Sequence, residues 1–184
     1  MSDTICRNEY DIIFCTRLWS QKNTHFPVDE LNETRIQSVI SLRQSFHGNI
    51  MVGVTDSPLS RKMCKDLILP SKITYRKHYL GLMRKSCVCV ATNGLHRSIG
   101  WRFGEYVASG KAIVSEPLCF SVPGDFHEKQ NYLSFTSSKE LIEQCDYLLS
   151  NPEKRREMEQ SNINYYNCNL RPDVLIWNTL KQVI

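Results

Sequence analysis

One short polar loop and two basic residues carry the chemistry most open to a ligand in this 184-residue chain. The loop is Thr92 to Ser98, TNGLHRS, between an apolar run and a helical one. Gly94 permits close approach of a backbone. Ser98 is placed to cap the next helix, whose free N–H groups then face the loop with partial positive charge. Asn93, His96 and Arg97 add polar groups. The set would suit a phosphate or diphosphate; a solvated Arg97 and a turn-forming Gly94 account for the same residues equally well. Glu105 stands two turns into that helix among apolar neighbours. A lone Glu there is ordinarily a surface residue, but a carboxylate turned to the ligand can accept both hydroxyls of a ribose. Arg17 and Lys22 lie in the loop after the first apolar run, and alone they read as a solvated charged loop.

Composition narrows the classes. Apolar residues make up 41% and charged residues 23%, as in ordinary globular proteins. The net charge of +4 suits an anionic small ligand or an acidic membrane surface and is too weak to argue for nucleic acid. No segment reads as a bilayer span, and MSDTICRNEYD lacks an apolar signal core, so the expected location is cytoplasmic, with peripheral membrane contact open to it. Eight cysteines without a C-x-x-C pair read as reduced, small apolar residues. No G-x-G-x-x-G follows Cys15, no P-loop is present, and no residue cluster has metal-ligand spacing, so the expected metal is none.

The elements that must position these residues follow from periodicity. Strands are expected at Tyr10–Cys15, Ile50–Val54, Lys72–Tyr75, Cys87–Ala91, Ala112–Ser115 and Tyr132–Phe135. Helices are expected at Asn32–Phe46 with Asn32 as N-cap, within Asp56–Leu69, at Tyr79–Lys85, and from the Ser98 region to a stop at Gly110. Further helices begin at Ser138, with a capping box there or shifted by one, at Asn151-Pro152, and at Arg171-Pro172, the last ending the chain. Strands alternating with helices specify an α/β fold: one doubly wound, mostly parallel, Rossmann-like sheet of five or six strands, residues 1–184 forming a single domain. Ligands of such a sheet bind beyond the carboxyl ends of the strands, where the loops after Cys15, Ala91 and Ser115 lie; the third holds Glu116, Pro123, Gly124 and Asn131.

The segment FGEYVASGKAIVSEP resembles the E-A-x-A-x-G-x-P-V-V segment of GT-B glycosyltransferases, in the half that binds the nucleotide-sugar donor. Glu105 falls on the acid of that segment, which in the family holds the ribose hydroxyls, and Gly110 falls on its glycine. Thr16–Lys22, TRLWSQK, resembles the family's G-R-L-x-x-x-K loop, so Arg17 and Lys22 fall on residues that grip the donor diphosphate. The tail SSKELIEQCDYLLSNPEKRREMEQSN is similar to the helix pair that closes this half. SIGWRFGEY, with PGDF and NYLSF, looks most like bacterial family-1-type enzymes of surface polysaccharide pathways. Two positions depart from the pattern: Arg97 stands where common retaining members carry a second acid, and Thr16 replaces a glycine. The chain also has room for one of the two Rossmann-like halves.

The resemblance implies a glycosyltransferase donor-binding half that moves a sugar from a nucleotide-sugar to a glycan or lipid-linked acceptor. Asn93, Gly94, Arg97 and Ser98 would hold the phosphates, assisted by Arg17, Lys22 and Arg102, with Glu105 on the ribose. The nucleotide-sugar is substrate, and no cofactor is implied. The alternative is a non-catalytic nucleotide-sugar-binding subunit or fragment that needs a separate acceptor-binding partner. Self-association through the exposed interdomain face is a further expectation, and the catalytic group is unassigned.

Overall fold

Apolar, β-branched runs form strands covered on both faces, and the segments between them form the covering helices. The computed structural model describes residues 9–181. In chain order the elements are β1 (Tyr10–Thr16), α1 (Asp29–Ser45), β2 (Ile50–Val54), α2 (Pro58–Met63), α3 (Ser71–Thr74), α4 (Arg76–Arg84), β3 (Ser86–Ala91), α5 (Trp101–Ala108), β4 (Ala112–Ser115), β5 (Leu133–Ser134), α6 (Ser138–Ser150), α7 (Pro152–Tyr165) and α8 (Pro172–Leu180). Cys6 and the end expected for the last helix lie outside the described residues.

The strands form one parallel sheet in the order β2-β1-β3-β4-β5. The two-residue period of each strand divides its side chains between two cores. Ile12, Phe14, Val52, Val54, Val88 and Val90 meet Ile36, Val39 and Leu42 of α1 and Leu141, Cys145 and Leu148 of α6. Ile13, Cys15, Cys89 and Ile113 meet Tyr79 and Met83 of α4 and Phe103, Tyr106 and Val107 of α5. The α/β, doubly wound architecture expected from the sequence is therefore present. Its winding reverses between β1 and β3, which opens a crevice beyond their carboxyl ends.

Three local expectations change. Lys72–Tyr75 is not a strand: Ser71–Thr74 is a helical turn after Pro70. Extended pairing occurs earlier, where Ile68 bridges Val54 and the Leu69 N–H donates to the Val54 carbonyl. Asn32 is not an N-cap, because α1 begins at Asp29 and Asn32 is buried inside it. Its side-chain amide instead donates to the Trp19 carbonyl and accepts from the Trp19 N–H, each at 2.8 Å. Ser98 is not the cap of α5; Gly100 holds that position and no side chain caps it.

The stop at Gly110 has a definite geometry. Gly110 adopts φ 58°. Its N–H donates to the Val107 carbonyl and the Lys111 N–H to the Tyr106 carbonyl, which closes α5 as a Schellman motif. A Cβ on Gly110 would overlap the Ile163 side chain of α7. Gly110→Ala should therefore lose more than the roughly 1–2 kcal/mol of the left-handed backbone alone. Urea unfolding measures this, and an unchanged midpoint would remove the steric account.

Candidate functional site

A crevice of about 440 Å³ lies at the winding reversal, lined by Thr16, Arg17, Trp19, Arg35, Ala91, Gly94, Ser98, Arg102 and neighbouring residues. Its floor is the carboxyl ends of β1 and β3, and one wall is the uncapped start of α5. The first N–H groups of that helix have no side-chain cap and present partial positive charge.

Arg35, which the sequence reading did not single out, organises the crevice. It leaves α1, is buried, and donates to the Arg17 carbonyl (2.5 Å), the Asn93 carbonyl (2.7 Å) and the Thr92 hydroxyl (3.2 Å). The Asn93 N–H donates in turn to a Glu116 carboxylate oxygen at 2.7 Å, and the Asn93 side chain to the Pro117 carbonyl at 3.2 Å. The loops after β1, β3 and β4 are thus joined through one guanidinium and one carboxylate. Burial pulls the Arg35 guanidinium down to about 10; Glu116 opposes that, and the Arg17 and Arg102 cations add to it. It still carries its charge at neutral pH.

The remaining donors face the crevice with fewer partners. The exposed Arg17 guanidinium lies 4.0 Å from the Trp19 ring centre. Arg102, in the first turn of α5, lies 4.3 Å from the Tyr79 ring centre, beside the Cys15 thiol, with its Nη1 buried and without a hydrogen-bond partner. Trp19 Nε1 is likewise buried and unpartnered. A buried donor left unmade costs about 1–3 kcal/mol, which a bound acceptor recovers. Beneath them, Tyr79 and Tyr106 share a 2.5 Å hydroxyl contact, and the Tyr106 hydroxyl donates to the Val90 carbonyl at 3.2 Å.

The proposed site residues are distributed unevenly. Arg17, Gly94, Ser98 and Arg102 line the one crevice. Asn93 and Arg97 line a neighbouring groove with Glu30, Glu116 and Phe26, sharing only Gly94 with the first. His96 and Arg97 both adopt left-handed backbone, φ 56° and 57°, and His96 packs on Phe26 with ring centres 4.8 Å apart. A Cβ on Gly94 would stand 2.5 Å from the Ser98 hydroxyl, so this glycine is required by its own loop. Lys22 is exposed on a short 3₁₀ turn, outside the crevice lining. Glu105 occupies a hollow with Arg76, Tyr79, Trp101 and Arg102, and pairs with Arg76 at 2.9 Å. Of the third loop, Asn131 is buried, and its side chain donates to that of Asn162. Among the described residues no group of His, Cys, Asp and Glu has the arrangement of a metal site, and no described helix is long and apolar enough to cross a membrane.

Two tests follow from the loop junction. Arg35→Met should destabilise the fold by about 3 kcal/mol, since it strands two carbonyls and removes a cation that favours the ionised Glu116. Burial pushes the Glu116 carboxyl above its ordinary 4.5, although the Asn93 N–H and Arg35 oppose the rise. An acid raised in the folded state favours folding when protonated, so its contribution declines as pH climbs from 4.5 through the folded value. Glu116→Gln keeps an acceptor for Asn93 and should flatten that decline. Denaturation midpoints across pH 4–7 that fall as steeply in the variant as in the parent would assign the decline to another group.

The molecule can be placed among known proteins on this geometry. A family model described as "Glycosyl transferase-like" matches residues 51–171. The fold superposes on the C-terminal domain of a group 1 family glycosyl transferase, LpcC, from Francisella tularensis, with a TM-score of 0.60 and 16% identity over 89% of this chain and 87% of that one. It also superposes on a chain of the GtfA/B complex, with a TM-score of 0.58 and 15% identity over 96% of this chain, which spans only 36% of that chain. No curated protein matches in sequence. With more than half of its length inside the family model, and with the sheet order and crevice described, the chain belongs to the glycosyl transferase-like family and has the fold of the C-terminal half of a GT-B, family-1-type glycosyltransferase.

Proposed function

We propose that this chain is the donor-binding half of a glycosyltransferase and that the crevice between β1 and β3 receives the diphosphate of a nucleotide-sugar. The observation that carries the reading is the concentration of positive charge and unmet donors there. Arg102 Nη1 and Trp19 Nε1 are buried without partners, and both residues line the crevice with Arg17, Arg35 and the open start of α5. A diphosphate would be drawn by the guanidinium charges and the helix start together.

The chemistry of sugar transfer makes use of the same groups. When the bond between the anomeric carbon and the phosphate oxygen breaks, negative charge grows on the departing nucleoside diphosphate. Fixed guanidinium and backbone donors stabilise that charge more than the ground state, which lowers the barrier. In this reading the neutralising charge comes from Arg17 and Arg102, and Glu105 accepts the ribose hydroxyls from its hollow beside Arg102. Lys22 and Arg97, which stand outside the crevice lining, would need loop movement to reach the phosphates. The acceptor, a glycan or a lipid-linked sugar, would approach from a second Rossmann-like half. The chain spans 36% of its neighbour in the GtfA/B complex; in the second reading, a binding subunit, a separate partner chain carries the acceptor-binding half.

Calorimetry with a panel of nucleoside diphosphates tests the reading. One member should bind, Arg102→Ala should weaken both that ligand and inorganic pyrophosphate, and Glu105→Ala should weaken only the nucleoside-bearing ligand, by about 1–3 kcal/mol. Absence of affinity for every member and for pyrophosphate would refute the reading. Turnover of the matching nucleotide-sugar by this chain alone would remove the binding-subunit alternative.

A further inference from the structure

Two contacts cross from α4 to α5 in matched spacing. Arg76 pairs with Glu105 at 2.9 Å, and three residues on, the Tyr79 ring faces the Arg102 guanidinium at 4.3 Å, three residues back. Residues three apart share a helix face, so the two helices meet as a two-rung ladder. The rungs grip the two side chains of α5 on which donor binding rests in the reading above: Arg102 for the diphosphate and Glu105 for the ribose. All four residues, with Trp101, line one hollow beside the crevice.

The lower rung is anchored to the sheet. The Tyr106 hydroxyl has one proton, which it gives to the Val90 carbonyl. In the 2.5 Å contact between the two phenols, Tyr79 must then be the donor and Tyr106 the acceptor. A phenol that gives its proton away carries more electron density in its ring, which strengthens attraction for a cation on its face. The chain of contacts therefore runs from the backbone of β3 through Tyr106 and Tyr79 to Arg102. Tyr79 and Tyr106 are buried, at 2% and 0% exposure, so this chain is shielded from water.

We propose that α4 is the positioning element of the donor site: Tyr79, backed by Tyr106, sets the Arg102 cation, and Arg76 sets the Glu105 carboxylate. Neither Arg76 nor Tyr79 needs to touch the ligand, and each acts through its α5 partner. Glu105 has two carboxylate oxygens. Holding one against Arg76 at 2.9 Å leaves the other to accept from a diol.

The inference rests on the donor-binding reading, and three measurements separate the two. The first needs no ligand: hydrogen exchange at Arg102 Nε, followed by NMR, should speed up several-fold in Tyr79→Leu and less in Tyr79→Phe, which keeps the ring and loses only the donated proton. The second uses inorganic pyrophosphate, whose affinity should fall about tenfold in Tyr79→Leu and be unchanged in Arg76→Ala. The third compares the nucleoside diphosphate that binds the parent protein with pyrophosphate; Arg76→Ala should erase most of the advantage of the nucleoside. The reversed pair Arg76→Glu with Glu105→Arg should recover thermal stability without recovering that advantage, which a merely structural pair would not predict. Unchanged Arg102 exchange and pyrophosphate affinity in a folded Tyr79→Leu protein, or an unchanged nucleoside advantage in Arg76→Ala, overturns the proposal. If the parent binds neither ligand, the donor reading fails first and the positioning role fails with it.

Discussion

Arg35 reaches from α1 beneath the loops that follow β1 and β3 and donates to the Arg17 and Asn93 carbonyls and the Thr92 hydroxyl. Loops at the carboxyl edge of a parallel sheet have no ladder to hold them, and their backbone groups must find partners elsewhere. Here a buried cation supplies those partners, and Glu116 extends the junction to the loop after β4 through the Asn93 N–H. Removing a buried charge from water costs several kcal/mol unless its donors are well used. The hydrogen bonds of Arg35 meet that condition, and the shape of the crevice depends on them.

The rest of the site hangs on how α5 is mounted. Its end is closed by the Schellman turn at Gly110, and its apolar face, Phe103, Tyr106 and Val107, is buried against the sheet. With that face and that end held, the start of the helix is free to project into the crevice without a capping side chain. The same mounting places Arg102 and Glu105 on the side turned to α4. Core-facing side chains and those turned to α4 therefore alternate along a helix of only eight residues.

The electrostatics of the crevice favour an anion in the proposed donor site. Arg17, Arg35 and Arg102 stand close enough that the first and third help depress the second. Glu116 is the carboxylate set against them, and burial makes its own ionisation less favourable. The local charge is left positive, in a recess where water screens poorly. Buried thiols nearby contribute no compensating charge, since burial pushes Cys15 up and carries Cys89 to about 12.

Much of the architecture was legible in residue types alone. Unbroken apolar runs named β1, β2, β3 and β4 to within a residue or two, Gly110 named the end of α5, and the two-residue period divided the cores, because each depends on local geometry and on burial of both sheet faces. The segment around Glu105 and the closing helix pair also marked the family. What a linear reading missed are contacts between residues far apart in the chain. Arg35 within a helix reads as solvated; it is buried because α1 crosses the mouths of two adjacent strands and brings it to residues 57 and 58 positions away. The Arg76–Glu105 and Tyr79–Tyr106 pairs, and the helical turn at Ser71–Thr74 where β-branched residues suggested a strand, were likewise decided by which elements became neighbours. Local propensity determined the parts, and the strand order β2-β1-β3 decided which side chains would meet, because a side chain's partner depends on packing that its own neighbours in sequence do not encode.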